Sequence, residues 1–406
     1  MAVFPFLPGQ IPEDKEILRS ITVGLDKVSS FYRTSYFDDY ISAGGSKIKF
    51  VTGKNGSGKS HLLALLRAEA EDSGYFVSSF SAKTLKLNDI TNLYKAVISK
   101  ISLDDIASRI ANSFIKDLGY DISLIGSSRT LMDYIVDIGE DAAMARLEIR
   151  TMIRKAFRKN PYIDGNFGTV FSLLCAEKLG IIQLDENSKN VLMCWINASS
   201  DVRLTAIRSL GLAPYKINKQ NARSMLTSIS EILHFAGYKG LFITIDDLDT
   251  LLSTSSLEEI HYTRMQRDDT YESIRQLIDD IDNSRFVMYV FAFDKELIGN
   301  QTLGLRSYQA LWLRIQNEIL SNRLNLFTDL LNLDSANSQL YTVDAAIEMS
   351  EKLAKYIKSK DVSAHTISPS EAEELVKKAQ FGTISLPLLV NQSTLFVEDK
   401  EEDSNV

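Results

Sequence analysis

The chain has few cysteines and no long apolar runs. Its 406 residues include only Cys175 and Cys194, which form no metal-binding spacing and require no disulfide, so a reducing cytoplasm is the expected location. The longest apolar run, Phe286 to Phe293, has eight residues, far short of the roughly 20 that span a bilayer. The first eight residues have no basic flank and are broken by prolines. We therefore expect no signal peptide and no membrane contact.

An excess of positive charge is also missing. The formal net charge is −8, so the chain as a whole is not a simple basic nucleic-acid binder, and any such contact must be local. Hydrophobic residues make up 45% and charged residues 24% of the chain, which is ordinary for a globular protein. The length suits one large domain with insertions, or two to three modules.

A phosphate-binding loop follows a short β-type run, Ile48 to Thr52. The loop residues, in order, are Gly53, Lys54, Asn55, Gly56, Ser57, Gly58, Lys59 and Ser60. A helical pattern begins at His61, so its positive N-terminal end would lie under bound phosphates. The strand, the loop and the helix therefore occur in the order that a phosphate-binding loop requires.

Each residue type in this loop has a chemical reason. Glycines let the chain turn so that successive backbone N–H groups point at an anion. Lys59 can reach the β- and γ-phosphates of a nucleotide, and the Ser60 hydroxyl can bind Mg²⁺. ATP and Mg²⁺ are therefore the predicted cofactors.

A second acidic motif ends the apolar run from Leu241 to Ile245. A buried strand of this kind delivers a carboxylate from its C-terminal end to Mg²⁺ beside the phosphate loop, as a Walker B strand does. Asp246 is the candidate metal-side acid, and Asp247 is the candidate that orients the attacking water. Many such ATPases carry Glu at the second position, so the shorter Asp247 leaves the hydrolysis rate open. An Asp–Asp pair could also be a helix cap.

Three further polar residues are candidates at the same site. Asp294 ends the buried run from Arg285 to Phe293, where it could sense the γ-phosphate or equally cap the next helix. Arg306 and Arg314 are candidates for a sensor arginine or one acting in trans, the charge that neutralises a transition state. A surface salt bridge is the alternative for either arginine.

The pattern of elements predicts an α/β fold with a parallel sheet, a helical insertion and a small C-terminal helical domain. Residues 255–270 are expected to form a loop or lid, and residues 322–333 to hold a short fifth strand. The predicted units are an entry segment (1–45), an ATPase core (46–103 and 237–333), a helical insertion (104–236), a helical lid (334–397) and an acidic tail (398–406).

The helical insertion carries a set of basic residues that we call the cationic stripe. Its members recur along one side of an amphipathic helix and are Arg146, Arg150, Arg154, Lys155, Arg158 and Lys159. Only Glu148 relieves the charge. One interpretation is a solvated face or one paired with acidic neighbours, and the other is a contact to phosphate backbone.

The order of motifs is that of AAA+-like P-loop NTPases, and four stretches extend the match. Together they resemble the ATP-binding proteins of BREX bacteriophage-exclusion systems over about residues 20–315. The stretches are residues 44–63 around the phosphate loop, residues 74–78 with Leu93 and Tyr94, residues 237–241 before the acidic pair, and residues 304–314. A competing resemblance, to KAP-type and signalling P-loop NTPases, lies in residues 245–249 and 292–296.

The BREX resemblance implies a cytoplasmic ATPase that works with other defence proteins near DNA, as a homo- or hetero-oligomer. By this match Lys59 and Ser60 contact phosphate and Mg²⁺, Asp246 is the Walker B acid, and Asp247 stands where the family usually has Glu. Two other classes remain open. One is a nucleotide-gated scaffold or signalling NTPase that hardly hydrolyses ATP, and the other is a DNA-loading initiator.

Overall fold

A computed structural model of the chain describes residues 11–126, 129–253, 261–316, 325–334, 341–359 and 363–395. The predicted acidic tail, 398–406, and part of the predicted loop at 255–270 lie outside these residues. Within them, no helix has the length and apolar character needed to cross a membrane.

The centre of the fold is one sheet of five parallel strands in the order β2-β3-β4-β1-β5. The strands are β1 (Ser46–Gly53), β2 (Phe76–Ser81), β3 (Leu241–Asp246), β4 (Val287–Asp294) and β5 (Leu330–Asn332). The α/β fold with a parallel sheet is therefore confirmed, and the short fifth strand falls within the predicted window. Strand β4 lies between the strand of the phosphate loop and the strand of the acidic pair.

Both faces of the sheet are covered, which explains why the central strands are nearly continuous apolar runs. Side chains that alternate along β4 belong to two different apolar clusters: Tyr289 and Phe291 to one, Met288 and Val290 to the other. The first cluster extends into the helices that follow β2. The second includes the helix after the phosphate loop and the C-terminal helices.

The entry segment is helical in three parts. It contains α1 (Lys15–Ile21), α2 (Asp26–Tyr32) and a π-helical segment, Arg33–Tyr40. The helical stretch that begins at Asp26 thus changes its hydrogen-bonding pattern at Arg33. The side chain of Asp14 caps α1 by accepting hydrogen bonds from two backbone N–H groups of its first turn.

Helices connect the strands on both faces. Helix α3 (Lys59–Asp72) follows the phosphate loop. Those between β2 and β3 are α4 (Ile90–Ile98), α5 (Leu103–Asp117), α6 (Ile122–Ile125), α7 (Leu131–Asp137), α8 (Ala142–Ile153) with a π-helical turn (Arg154–Arg158), α9 (Gly165–Lys178), α10 (Glu186–Ile196), α11 (Leu204–Ser209) and α12 (Ala222–Phe235). Outside residues 127–128, which are not described, this stretch contains no strand.

The prediction of a loop over 255–270 is wrong for its last residues. Helix α13 (Arg264–Asp279) begins at Arg264, inside the predicted loop. The reason is a capping box, in which Thr263 and Gln266 each bond the other's backbone N–H. The remaining helices are α14 (Glu296–Gly299), α15 (Gln309–Ile315), α16 (Val343–Lys358), α17 (Pro369–Phe381) and α18 (Leu386–Leu395), with short 3₁₀ turns at Leu248–Leu252, Ile281–Asn283 and Leu305–Ser307.

Candidate nucleotide-binding site

The candidate site lies at the carboxyl ends of the parallel strands. Strand register brings the predicted residues together: Gly53 at the end of β1 pairs with Asp294 of β4, and Asp246 of β3 pairs with Ser81 of β2. Ligands of open parallel sheets bind at this edge. The phosphate loop and the two strand-end carboxylates, Asp246 and Asp294, therefore border one cavity of about 1080 Å³.

Lys59, the first residue of α3, folds back over the loop. Its Nζ donates to the carbonyl oxygens of Gly53 and Lys54, both at 2.9 Å, and lies 3.6 Å from the Asp294 carboxylate. An ammonium has three N–H donors, so these two carbonyls leave one for an anion in the cavity. The side chain is 12% exposed. Lys59 is thus a fixed, nearly buried cation at the loop.

Glycine is required at two loop positions by backbone conformation. Gly56 and Gly58 have φ values of +74° and +90°, in the left-handed region that side chains rarely adopt. A Cβ on Gly56 would also lie 2.3 Å from Cβ of Leu388 in α18. Both the backbone conformation and the contact with Leu388 therefore exclude a side chain at Gly56.

Ser60 and Asp246 form the predicted metal pair. The Asp246 carboxylate accepts the backbone N–H of Asp247 at 2.8 Å. Burial raises the pKa of Asp246 above its ordinary value, and the Ser60 hydroxyl beside the carboxylate opposes the rise. A divalent cation would favour the ionised form.

The donor chemistry fits Mg²⁺. Both side chains offer hard oxygen ligands, and Mg²⁺ usually takes one or two protein ligands and completes its shell with water and phosphate oxygens. No group of three or more His, Cys, Asp or Glu able to hold a metal occurs among the residues that the structure describes. Ser60 and Asp246 are the two residues that would hold Mg²⁺ beside a bound nucleotide.

Asp247 is held in an unusual backbone conformation. Its φ of 58° and ψ of 31° are left-handed, which Asp tolerates better than most residues. Its carboxylate accepts a 2.6 Å hydrogen bond from the Ser81 hydroxyl and a 2.7 Å bond from Nζ of Lys83. In this conformation both carboxylate oxygens of Asp247 are therefore hydrogen-bonded, one to the last residue of β2 and one to a residue just after it.

The two carboxylate oxygens of Asp294 make different contacts. One oxygen accepts the backbone N–H of Glu296 at 3.1 Å, as a cap does, and the other faces Lys59. Its own N–H donates to the Asp249 carboxylate at 2.9 Å. A role in sensing the γ-phosphate stays a prediction.

The C-terminal part of the chain packs directly on the phosphate loop. Nζ of Lys54 donates to the Gly382 carbonyl at 2.8 Å, and the backbone N–H of Ser385 donates to the Asn55 carbonyl at 3.0 Å. The Tyr341 hydroxyl donates to the Ser57 carbonyl at 3.1 Å. These bonds tie successive loop residues to the segments around α16, α17 and α18.

Asp334, which follows β5, anchors the start of the loop. Its two carboxylate oxygens accept the backbone N–H of Lys54 at 3.0 and 3.1 Å. The end of the edge strand is thereby joined to the loop beside it.

The apolar end of the cavity is formed by the entry segment and the C-terminal helices. Its lining includes Val23, Leu25, Met349, Leu353 and Val390. Apolar walls with a few polar groups are typical of cofactor pockets. This end could receive an adenine ring while the phosphates lie on the loop.

His61 links α3 to the entry segment. Its Nε2 lies 2.8 Å from the Thr22 hydroxyl, and burial lowers the pKa of the imidazole to about 4. The ring is therefore neutral in the folded protein at pH values where an exposed histidine is already protonated.

We expect this histidine to make stability fall on acidification. The folded pKa lies below the ordinary 6.5, so the contribution is fully present above pH 6.5 and is lost as the pH falls towards 4. Between pH 7.5 and pH 5 the loss is about 2 kcal/mol in the free energy of unfolding. In urea denaturation, the free energy of unfolding of His61→Gln should fall between pH 7.5 and pH 5 by about 2 kcal/mol less than that of wild type. The same substitution at His365, on the exposed surface, is the control; equal effects of the two would contradict the assignment.

Arg306 and Arg314 lie outside the cavity lining. The Arg314 guanidinium pairs with the Asp279 carboxylate, and the Arg306 guanidinium stacks 5.3 Å from the centre of the Trp312 ring. Neither arginine borders this cavity, and both the sensor role and the role in trans stay predictions. The cationic stripe is also absent from the lining.

Several site residues were not predicted. Ser81, Lys83 and Asp334 end or follow parallel strands, a position that by itself marks a candidate. Tyr341 and Leu388 gave no comparable signal, because each reaches the loop from the far C-terminal part of the chain.

The parallel sheet and the glycine loop that leads into α3 with Lys59 define a protein with a P-loop NTPase-like fold. A family model described as "BREX system ATP-binding protein BrxC/D" matches residues 8–383. The chain belongs to this family, so it is an ATP-binding protein of a phage defence system. No curated protein matches the chain.

Proposed function

We propose that the protein is an Mg²⁺-dependent, AAA+-like ATPase that acts in a cytoplasmic anti-phage complex. The observation that carries the proposal is the convergence of Lys59, Ser60, Asp246 and Asp247 on one cavity. A cation, a hydroxyl and two carboxylates beside a glycine loop are the groups that phosphoryl transfer to water requires.

Each side chain has a distinct task in this proposal. Lys59 neutralises charge on the β- and γ-phosphates, and Ser60 and Asp246 would together hold Mg²⁺. Bound Mg²⁺ would offset the negative charge that the phosphate oxygens gain in the transition state. Asp247 leaves Ser81 or Lys83 and accepts a hydrogen bond from the attacking water.

The strand order supports the AAA+-like assignment. Because β4 separates β1 from β3, Asp294 lies between the phosphate loop and the acidic pair; it faces Lys59 of the loop and donates its N–H to Asp249, two residues after the pair. This is where a γ-phosphate sensor is expected. Fold alone does not assign an activity, so the turnover experiment below is decisive.

The contacts between the loop and the C-terminal helices supply a route for coupling. The Asn55 and Ser57 carbonyls are bonded to Ser385 and Tyr341, so a loop that closes on phosphate must carry these partners or release them. Nucleotide state would thereby shift the C-terminal helices and change the affinity for DNA or for a partner protein. Assembly with further subunits could bring Arg314 to a neighbour's site.

A second candidate is a nucleotide-gated scaffold that binds ATP and hardly hydrolyses it. The observation that favours it is the occupied carboxylate of Asp247, bonded to Ser81 and Lys83. A side chain one methylene shorter than Glu has less reach towards a water when it leaves these partners.

Steady-state ATP turnover with and without duplex DNA separates the two candidates. We expect Mg²⁺-dependent turnover above that of Lys59→Ala, the blank. Stimulation by DNA would make the protein a motor or loader on DNA. Turnover equal to the blank in both conditions, with ATP binding intact, would contradict the ATPase proposal and favour the scaffold.

A further inference from the structure

The cationic stripe is exposed and has no acidic partner in the part of the chain that the structure describes. Its six residues, Arg146, Arg150, Arg154, Lys155, Arg158 and Lys159, are all solvent-exposed. Among the described residues none of them forms a salt bridge; the contact recorded for the stripe is a 3.4 Å bond from Arg158 to the Thr169 hydroxyl. The chain has 53 acidic and 45 basic residues, and arginines such as Arg19 and Arg275 are paired with carboxylates. Six unpaired cations on one helix are therefore not explained by internal pairing.

A π-helical turn keeps the arginines on one side. In an α-helix a step of four residues overshoots a full turn by about 40°, so a stripe at this spacing drifts around the axis. The chain changes to π-helical bonding at Arg154, where the N–H of Lys159 donates to the Arg154 carbonyl at 3.2 Å. A π-helical turn takes roughly 4.4 residues, so the last step falls short of a turn by about 33° and brings Arg158 back into line with Arg150.

The same turn places Phe157 in the core. This ring is 1% exposed and packs against Phe114, Phe171 and Phe235. In a continuous α-helix the ring would be rotated towards the side that carries the arginines. The π-helical turn thus places Phe157 in the core and keeps the arginines on the exposed side.

The chemistry of the stripe fits a regular polyanion. Four of the six residues are arginines, whose planar fork binds phosphate oxygens in a bidentate way. The arginines follow each other at about 6 Å along an axis of about 18 Å. A helix fits the major groove of B-form DNA, about 12 Å wide, whereas the narrow, deep groove of A-form RNA excludes it.

We propose that the cationic stripe binds the phosphate backbone of duplex DNA, with α8 and its π-helical turn lying along the groove. This inference rests on the proposed function, because it names duplex DNA as the ligand whose binding the nucleotide state controls. The cationic stripe is a surface separate from the ATP cavity.

The test is DNA binding by the full chain. Fluorescence anisotropy with a labelled 25-bp duplex would be measured between 50 and 200 mM KCl. For four to six neutralised phosphates we expect log Kd to rise with log salt with a slope of about 4–5. The double variant Arg150→Glu/Arg154→Glu should bind at least about 10-fold more weakly. Its slope of log Kd against log salt should be smaller by about 2.

The matched control is Arg203→Glu/Arg208→Glu, which makes the same charge change at two exposed arginines, one at the N-cap of α11 and one within that helix. It should bind within about twofold of wild type. Equal weakening in both pairs, no binding by wild type at 50 mM salt, or equal competition by duplex RNA or polyglutamate would each overturn the proposal. Circular dichroism of both variants checks that α8 remains folded.

A single variant separates this proposal from the ATPase proposal. Lys59→Ala should lose ATP binding yet bind duplex as wild type does in the absence of nucleotide. Wild-type protein that binds duplex but shows no turnover would contradict the ATPase proposal and support the stripe.

Discussion

Lys59→Ala is expected to weaken ATP binding by at least about 100-fold while leaving the fold intact. The variant removes the nearly buried cation of the loop, and each charge-assisted hydrogen bond to phosphate contributes about 1.5–3 kcal/mol. The two carbonyls that lose Lys59, those of Gly53 and Lys54, can be hydrated through the open cavity. Isothermal titration calorimetry with Mg²⁺ and ATP measures the affinity.

The matched control for this experiment is Lys95→Ala, an exposed lysine on α4. It should bind ATP within about twofold of wild type, and both variants should unfold near the wild-type temperature. An unchanged affinity in Lys59→Ala would overturn the assignment of the whole site, because the loop carbonyls hold this ammonium at the cavity that the acidic pair also borders.

Asp247→Asn is expected to lower ATP turnover by about 10²–10⁴-fold with ATP affinity within about threefold of wild type. The loss is that of a general base or of a group that orients water. Asn is the informative substitution because it tolerates the left-handed backbone at φ 58°, whereas other side chains would add strain. Single-turnover kinetics at saturating ATP separates this loss from a loss of binding.

The control is Asp117→Asn, an exposed carboxylate at the end of α5. It should leave turnover unchanged. Asp247→Glu distinguishes the two functional candidates: turnover well above wild type indicates that the shorter side chain limits hydrolysis and supports the scaffold. Equal turnover in Asp247→Asn and wild type would exclude Asp247 from the reaction.

Local patterns were sufficient for the strands and for the loop. Apolar runs that end in Asp246 and Asp294 predict buried parallel strands, and glycines with Lys59 predict the phosphate loop; both kinds of signal lie within ten residues of sequence. The parallel sheet then brings these ends to one edge without further information. This explains why the central groups of the candidate site could be proposed from sequence.

Contacts between distant segments could not be predicted in this way. Leu388 lies against Gly56, and Ser385 bonds the Asn55 carbonyl, yet about 330 residues separate these partners. A helical pattern in α18 indicates that one face is buried but not what covers it. The start of α13 is a different case, since Thr263 and Gln266 form a capping box that is visible in the sequence.

The hydrogen bond between Ser385 and the Asn55 carbonyl has a consequence for synthesis on the ribosome. The phosphate loop is translated early, whereas its covering residues near Leu388 are translated about 330 residues later. At roughly 5–20 residues per second this delay is on the order of 20–70 s. During that time the nascent loop lacks β5 and the C-terminal helices, so its glycines and apolar neighbours are open to solvent. We expect the nascent chain to acquire full nucleotide affinity only after α18 has emerged, which makes ATP binding a late step in its maturation.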